Sequence, residues 1–284
     1  GLVWSFGPLV VRYMNDPQLI PWQYIFGRGL TIFILLNLYL FFEEGKNFYK
    51  NYLRIGLSGL IGGSGLGVAM ISFMFSITNT SAAVTLLCLA AMPFFTALLA
   101  FLFLKEKISL NVWISIIIAT VGIVIMAVGN SSETSLIGFV FGMTSSIGFA
   151  VFSVSLRWRK ETPKFTTTAF AGLFCVVFST IMILYKDLNF FSTSYNSSLF
   201  SLHGTLVCFG LILYSIGSKA IPAAELTLLS LTEVIGGIFW VWLPLFGINE
   251  IPTTNTIIGG FFLFISLTYY SLVMRWNKRY IGLN

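Results

Sequence analysis

Two charged residues stand inside long apolar runs of this sequence, and both can bind a solute or carry a proton. Glu233 lies within the run Ala223–Phe246, which at ~1.5 Å per residue is long enough to cross ~30 Å of hydrocarbon. An unpaired charge near the midplane is costly, so such a residue usually faces a cavity and marks a substrate or ion path. Glu233 is therefore predicted to be a cation ligand or a proton-carrying coupling residue. A satisfied structural hydrogen bond is the alternative.

Arg28 is the second embedded charge, in an apolar run that begins near Trp22. At helical spacing it shares a face with Tyr24 and lies ~9 Å below one surface, within reach of the depth of Glu233. Its planar guanidinium suits a substrate carboxylate or phosphate. The alternatives are a structural ion pair with Glu233 and extension of the Arg28 side chain to the outer interface.

Other candidate residues follow from helical spacing and side-chain type. Ser230 and Trp240 share the stripe of Glu233. Trp4 and Tyr214 are aromatic residues that can stack on a ring or hold an ammonium group, although packing is the alternative for each of them. The predicted substrate-binding residues are Trp4, Tyr24, Arg28, Met92, Tyr214, Ser230, Glu233 and Trp240.

Motifs for metal binding, hydrolysis and nucleotide-driven transport are missing from the sequence. His203 is the only histidine and stands near a predicted span end, and there is neither an HExxH motif nor a GxxxxGK[ST] loop. We therefore predict no enzyme activity, no metal and no cofactor. The three cysteines fall in apolar runs without CxxC spacing and are predicted to be buried.

The composition is that of an integral membrane protein: 57% of the residues are hydrophobic and 9% are charged, against about 25% charged in soluble domains. The net charge of +6 does not indicate nucleic-acid binding, because the basic residues form short clusters between apolar runs. The partners predicted are a small-molecule substrate and the lipid bilayer, with a homodimer left open.

Apolar runs between charge clusters predict an all-α protein with ten transmembrane helices. They cover roughly 1–14, 22–42, 53–77, 80–104, 110–129, 136–157, 165–185, 202–219, 223–246 and 255–275. With both termini in the cytoplasm, only Arg12 and Lys186 fall outside and Arg28 stays in a span. The cytoplasmic basic residues would be Lys46, Lys50, Arg54, Lys105, Lys107, Arg157, Arg159, Lys160, Lys164, Lys219, Arg275, Lys278 and Arg279. A bacterial inner membrane is the location expected.

The two halves of the chain resemble each other. The run from Ala82 aligns with the run from Ala223, which places Met92 on Glu233, and the run ending at Arg12 aligns with the one ending at Arg157. Five spans is an odd number, so the halves would cross the membrane in opposite senses as inverted repeats, with a substrate site between them. The predicted units are repeats at 1–129 and 136–275 and a cytoplasmic tail at 276–284, with a linker from Asn130 to Ser135.

These features together resemble the drug/metabolite transporter superfamily, EamA type. The resemblance rests on the doubled five-span pattern and on the run containing Ala82, Ala83, Pro93, Lys105 and Glu106, whose second copy ends in Gly247-Ile248-Asn249-Glu250; the early Trp4-Ser5-Phe6 adds to it. It implies a central cavity lined mainly by spans one to four and six to nine. Val234 stands where the first copy has Pro93, so a kink there is in doubt.

The sequence thus predicts a secondary active transporter of a small polar organic metabolite, working by alternating access and proton-coupled through Glu233. An arginine and a glutamate suit a zwitterion such as an amino acid. The alternatives are a carrier of quaternary ammonium compounds, a carrier of vitamins or nucleosides, a passive channel, and a membrane-embedded enzyme acting on lipid.

Overall fold

The computed structural model describes residues 1–129, 135–159 and 161–280, and the described residues form helices with no β-strand. A 3-10 turn, Trp4–Phe6, precedes the first helix. The helices are α1 Gly7–Arg12, α2 Pro21–Glu44, α3 Lys50–Leu53, α4 Gly56–Asn79, α5 Ala82–Leu89, α6 Met92–Leu99, α7 Leu110–Gly129, α8 Leu136–Trp158, α9 Lys164–Tyr185, α10 Ser194–Gly217, α11 Ala223–Ser230, α12 Thr232–Trp242 and α13 Thr254–Tyr280. Most of the predicted linker, and 281–284 of the predicted tail, lie outside the described residues.

Eight segments of the described chain are long and apolar enough to cross a membrane. They are Pro21–Asn47, Gly56–Asn79, Ala82–Leu104, Leu136–Trp158, Lys164–Tyr185, Ser194–Gly217, Ala223–Trp242 and Thr254–Val273, and Leu110–Ile125 is a shorter apolar helix. The chain is therefore a multi-pass helical membrane protein. Such helices are stable in lipid because each satisfies its own backbone hydrogen bonds.

Small residues let α4 pack closely on two neighbours at once. On the side of α8, a Cβ at Gly65 would lie 3.0 Å from the Gly148 carbonyl oxygen. On the side of α9, a Cβ at Gly63 would lie 2.8 Å from the Thr167 carbonyl oxygen. Ser145 of α8 also donates a 2.8 Å hydrogen bond to the Ala69 carbonyl oxygen of α4. These contacts hold backbones together where lipid supplies no hydrophobic driving force between helices.

The helices α4 and α8 run antiparallel, which fixes which residues share an end of the bundle. Gly138, at the start of α8, lies against Thr80 just beyond the end of α4, whereas Gly62 near the start of α4 lies against Ser155 near the end of α8. Arg157 and Thr80 therefore lie at opposite ends of the bundle.

Two of the eight segments are interrupted in the middle. One is broken between Leu89 and Met92, and the other is broken at Leu231. The second interruption has no proline: Ser230 and Thr232 donate their hydroxyl groups to nearby carbonyl oxygens at 2.7 and 3.2 Å, bonds that compete with the helical ladder. Val234, where the sequence left a proline kink in doubt, lies inside α12, and the interruption falls three residues before it.

Two predicted span ends are wrong. The helix α10 begins at Ser194 and not near 202, because its polar first turn is held by tertiary contacts: Asn196 donates to the Asn15 carbonyl oxygen at 3.1 Å and is buried. The span predicted to reach Phe246 ends at Trp242, and Pro244 begins a separate 3-10 turn.

Candidate functional site

A cavity of about 80 Å³ lies in the centre of the bundle and contains both embedded charges. Its lining residues are Trp4, Gly7, Arg28, Leu66, Ala69, Met70, Phe73, Leu89, Met92, Ser145, Phe149, His203, Val207, Leu211 and Glu233. Metabolite pockets usually measure about 300–1,000 Å³, so this one is contracted. In the described chain no lining residue comes from α7, α9 or α13. The helix α9 is the seventh predicted span, which the resemblance placed among the cavity-lining spans. It instead packs against α2 and α4, away from the cavity.

Arg28 is held rigidly at the wall of this cavity by uncharged partners. It is 3% exposed, and its Nη1 and Nη2 donate to the Tyr24 hydroxyl at 2.8 Å and to the Met70 carbonyl oxygen at 2.7 Å. Its guanidinium carbon lies 4.8 Å from the centre of the Tyr24 ring. The ion pairs found in the described residues do not include Arg28, so the structural pair with Glu233 is not formed. A buried arginine without a carboxylate partner can take an anionic group of a solute.

Glu233 reaches the same cavity from the interrupted segment. It stands in the first turn of α12, immediately after the break at Leu231, where the helix dipole favours a negative charge. No side chain of the described residues donates a hydrogen bond to it. A structural hydrogen bond, the alternative to a functional role, therefore finds no side-chain donor here.

The other predicted site residues divide into those at the cavity and those behind it. Trp4 and Met92 line it together with Arg28 and Glu233. Tyr24 does not line the cavity itself, but its hydroxyl group contacts Arg28 and His203, which do. Tyr214 lies behind Trp4, with ring centroids 5.7 Å apart, and is hydrogen-bonded to Ser153 at 2.7 Å.

Ser230 and Trp240 do not line the cavity. The Ser230 hydroxyl donates to the Thr227 carbonyl oxygen within its own helix. The Trp240 ring stacks on Phe6 at 4.7 Å and donates to the Ser5 hydroxyl at 2.8 Å. The break at Leu231 separates Ser230 from the helix that carries Glu233. Trp240 shares a face of α12 with Glu233 but lies ~10 Å further along the helix, where Ser5 and Phe6 contact it.

His203 is a cavity residue that reasoning from sequence placed near an outer span end. It is 3% exposed, and its Nδ1 lies 2.6 Å from the Tyr24 hydroxyl oxygen. The error came from the start of α10: counted from Ser194, His203 is ~14 Å along the helix, deep in the span. A lone histidine in an apolar run was the signal available.

Arg12 ties three segments together at one end of the bundle, and we call this group the Arg12 clasp. Its Nε pairs with Glu250, beyond α12, while Nη1 and Nη2 donate to the carbonyl oxygens of Ile77 and Thr80 at 3.1 and 3.4 Å. The two charged side chains are 21% and 33% exposed.

Arg157 makes the same contacts at the opposite end, and we call this group the Arg157 clasp. Its Nε donates to Glu106 at 2.7 Å, and its Nη1 donates to the carbonyl oxygens of Ser218 and Ile221 at 3.4 and 3.0 Å. The small cavity thus lies between two ends of the bundle, each of which is held by an ion pair.

A cavity lined by two charged residues inside a multi-pass helical bundle is typical of a membrane protein of the transporter class. Residues 1–128 match the model of the EamA-like transporter family, which confirms the resemblance noted in the sequence.

Two relatives and one solved structure are also similar to this chain. An uncharacterized transporter from Helicobacter pylori strain J99 is 24% identical over 252 residues, 84% of this chain and 80% of its own length. A second, from strain 26695, is 23% identical with the same coverage. A crystal structure with a TM-score of 0.75 and 14% identity covers 98% of this chain and 95% of its own, and it shows the fold alone.

Proposed function

We propose that this protein is a secondary active transporter that moves a small polar organic solute, a zwitterion such as an amino acid, through the central cavity by alternating access. The observation that carries the proposal is that Arg28 and Glu233 line one contracted cavity and are not paired with each other. Opposite charges held apart in one site match the two ends of a zwitterion.

An inverted repeat of two five-helix halves, 1–129 and 136–275, is the architecture that this mechanism needs. Packing supports it. In the alignment of the two halves, α4 corresponds to α10 and α9 corresponds to α2, so the contact of α4 with α9 is equivalent to the contact of α10 with α2. The helix α7 packs against its own counterpart, α13. The inverted repeat is supported too by the interruptions, because the offset between Ala82 and Ala223 also relates Met92, just after the first break, to Glu233. The second half already contains five of the eight segments, and ten membrane crossings follow if α1 and α7 complete the first half, which contains three.

The Arg12 clasp and the Arg157 clasp are the proposed gates at the two ends of the cavity. The offset from Ile77 to Ser218 equals that from Thr80 to Ile221, so the two arginines hold equivalent carbonyl groups of the two halves. Opening the cavity to one side requires one clasp to part while the other holds. From the distribution of basic residues, the Arg12 clasp is the outer one and the Arg157 clasp the cytoplasmic one.

Glu233 is the proposed coupling residue. It is the acidic group at the cavity, and its repeat counterpart Met92 cannot titrate, so the two-fold arrangement holds a single carboxyl group. Proton uptake and release as the cavity faces each side in turn would link solute movement to a proton gradient.

A quaternary ammonium solute is the second candidate, because Trp4, Phe73 and Phe149 are aromatic walls of the same cavity. The guanidinium of Arg28 in that wall repels a cation without a negative group, and this favours the zwitterion.

The test is a thermal-stabilisation screen of the purified protein over amino acids, quaternary ammonium compounds, vitamins, nucleosides and organic acids, followed by counterflow in proteoliposomes. A ligand that binds only the folded state raises the melting temperature. Stabilisation by anions alone would eliminate the zwitterion. Product formation from lipid without translocation would replace the transporter by an enzyme.

A further inference from the structure

The hydrogen bonds around Tyr24 determine which nitrogen of His203 carries the proton. Arg28 is always a donor, so the Tyr24 hydroxyl oxygen accepts its 2.8 Å bond. The Tyr24 side chain is fully buried, and its own hydroxyl hydrogen needs an acceptor. His203 Nδ1, 2.6 Å away, is the acceptor that the described residues offer. Neutral His203 therefore carries its hydrogen on Nε2.

The Nε2 atom of His203 is turned toward the cavity beside Gly7. A Cβ added at Gly7 would lie 2.8 Å from Nε2, and both residues line the cavity. No described residue accepts a hydrogen bond from Nε2. Because Gly7 has no side chain, the Nε2–H group of His203 stays accessible from the cavity, whereas a larger residue at this position would contact it.

Arg28 has donors left over on the same wall. Of the five N–H groups of a guanidinium, Tyr24 and Met70 take one each. Arg28 Nη1 and His203 Nδ1 contact the same hydroxyl oxygen, so the two side chains are adjacent.

We propose that Arg28 and the Nε2–H group of His203 form one subsite that binds a carboxylate of the solute, and that Tyr24 is the positioning residue that keeps the histidine proton on Nε2. This inference rests on the proposed function and assigns the anionic end of the zwitterion to particular atoms. A carboxylate accepts several hydrogen bonds at once, and donors shared between a fixed guanidinium and a fixed imidazole select it over a neutral amide.

The single histidine makes the subsite directly observable. In protein labelled with ¹⁵N-histidine and purified without a histidine tag, wild-type Nε2 should show the shift of a protonated nitrogen and Nδ1 that of an unprotonated one. Sodium acetate, small enough for the contracted cavity, should move the Nε2 signal, whereas sodium chloride at equal ionic strength should not. Tyr24→Phe keeps the ring that packs on Phe200 but should give a mixture of tautomers. A proton on Nδ1 in the wild type, or an Nε2 signal indifferent to acetate, would overturn the proposal.

Binding of acetate and glycine to variants of the protein gives a quantitative test. His203→Phe removes the donor and keeps a ring, and it should weaken binding of both probes about tenfold to hundredfold, the loss of one hydrogen bond to a charged group. His203→Gln, which restores an N–H donor, should recover part of it. Gly7→Ala should act like His203→Phe by covering Nε2. Its matched control is Gly260→Ala, where no atom lies within 4 Å of the added Cβ.

The outcomes separate the subsite from the proposed function. If acetate moves the Nε2 signal while no zwitterion binds or is transported, the subsite stands and the zwitterion fails. If a zwitterion is transported equally well by wild type and His203→Phe, but not by Arg28→Gln, the proposed function stands and the histidine has no part in the subsite.

Discussion

Removing one clasp should bias the transporter toward opening at that end. Arg12→Gln deletes the ion pair with Glu250 and weakens two bonds to carbonyl oxygens, and Arg157→Gln does the same at the other end. The side chains are one-fifth to one-third exposed, so the ion pair contributes at most ~1 kcal/mol and each carbonyl bond ~0.5–1 kcal/mol. The total of about 2 kcal/mol corresponds to a shift of about 30-fold between the closed state and the state open at that end.

The assay is labelling of a single cavity cysteine by a membrane-impermeant maleimide. Ala69→Cys, in a protein whose three native cysteines are replaced, puts a thiol on the wall of the closed cavity. Arg12→Gln should speed labelling from the Arg12 side about 30-fold, and Arg157→Gln should do so from the opposite side, provided that the closed state predominates in the parent. Lys186→Gln, which removes an exposed charge outside the ion pairs of the described residues, should change neither rate.

Equal acceleration from both sides by either variant would mean that the clasps only stabilise the fold. Unchanged labelling in a well-folded Arg12→Gln protein would show that the clasp does not hold the closed state. The double variant should label from both sides, since neither end is then held shut.

Three further predictions concern coupling, packing and topology. Glu233→Gln should abolish pH-driven net transport and leave solute exchange intact; loss of both in a folded protein would make Glu233 a solute ligand, and wild-type behaviour in both would return it to a structural role. Gly65→Ala should lower stability by about 1–3 kcal/mol, read as a lower melting temperature, because its Cβ meets the backbone of α8, whereas Gly260→Ala should leave it unchanged. Exposed cysteines placed at Ser198 and Glu161 should label, respectively, from outside and only after permeabilisation; the reverse would invert the predicted orientation.

The sequence by itself determined that this is a helical membrane protein and where most of its spans lie. A continuous apolar run of about 20 residues satisfies its own backbone hydrogen bonds in lipid by forming a helix, and this signal depends on local composition alone. The same reasoning identified Glu233 and Arg28, since a charge inside an apolar run is visible without knowledge of its neighbours. Alignment of the two halves also brought Met92 to the position of Glu233, and both line the cavity.

Only the tertiary structure decided which face of each helix meets the cavity. Rotation of a helix is set by contacts with distant segments, such as Gly65 against Gly148. Tertiary contacts also set where the cavity ends and where a helix begins: Ser5 and Phe6 contact Trp240, and the bond from Asn196 to Asn15 holds the early start of α10 that places His203 at the cavity. The break at Leu231 arises from serine and threonine hydroxyls that compete with the helical ladder, a choice that composition does not reveal. Hydropathy locates the spans, whereas tertiary contacts determine where each span begins and ends and the direction in which its side chains point.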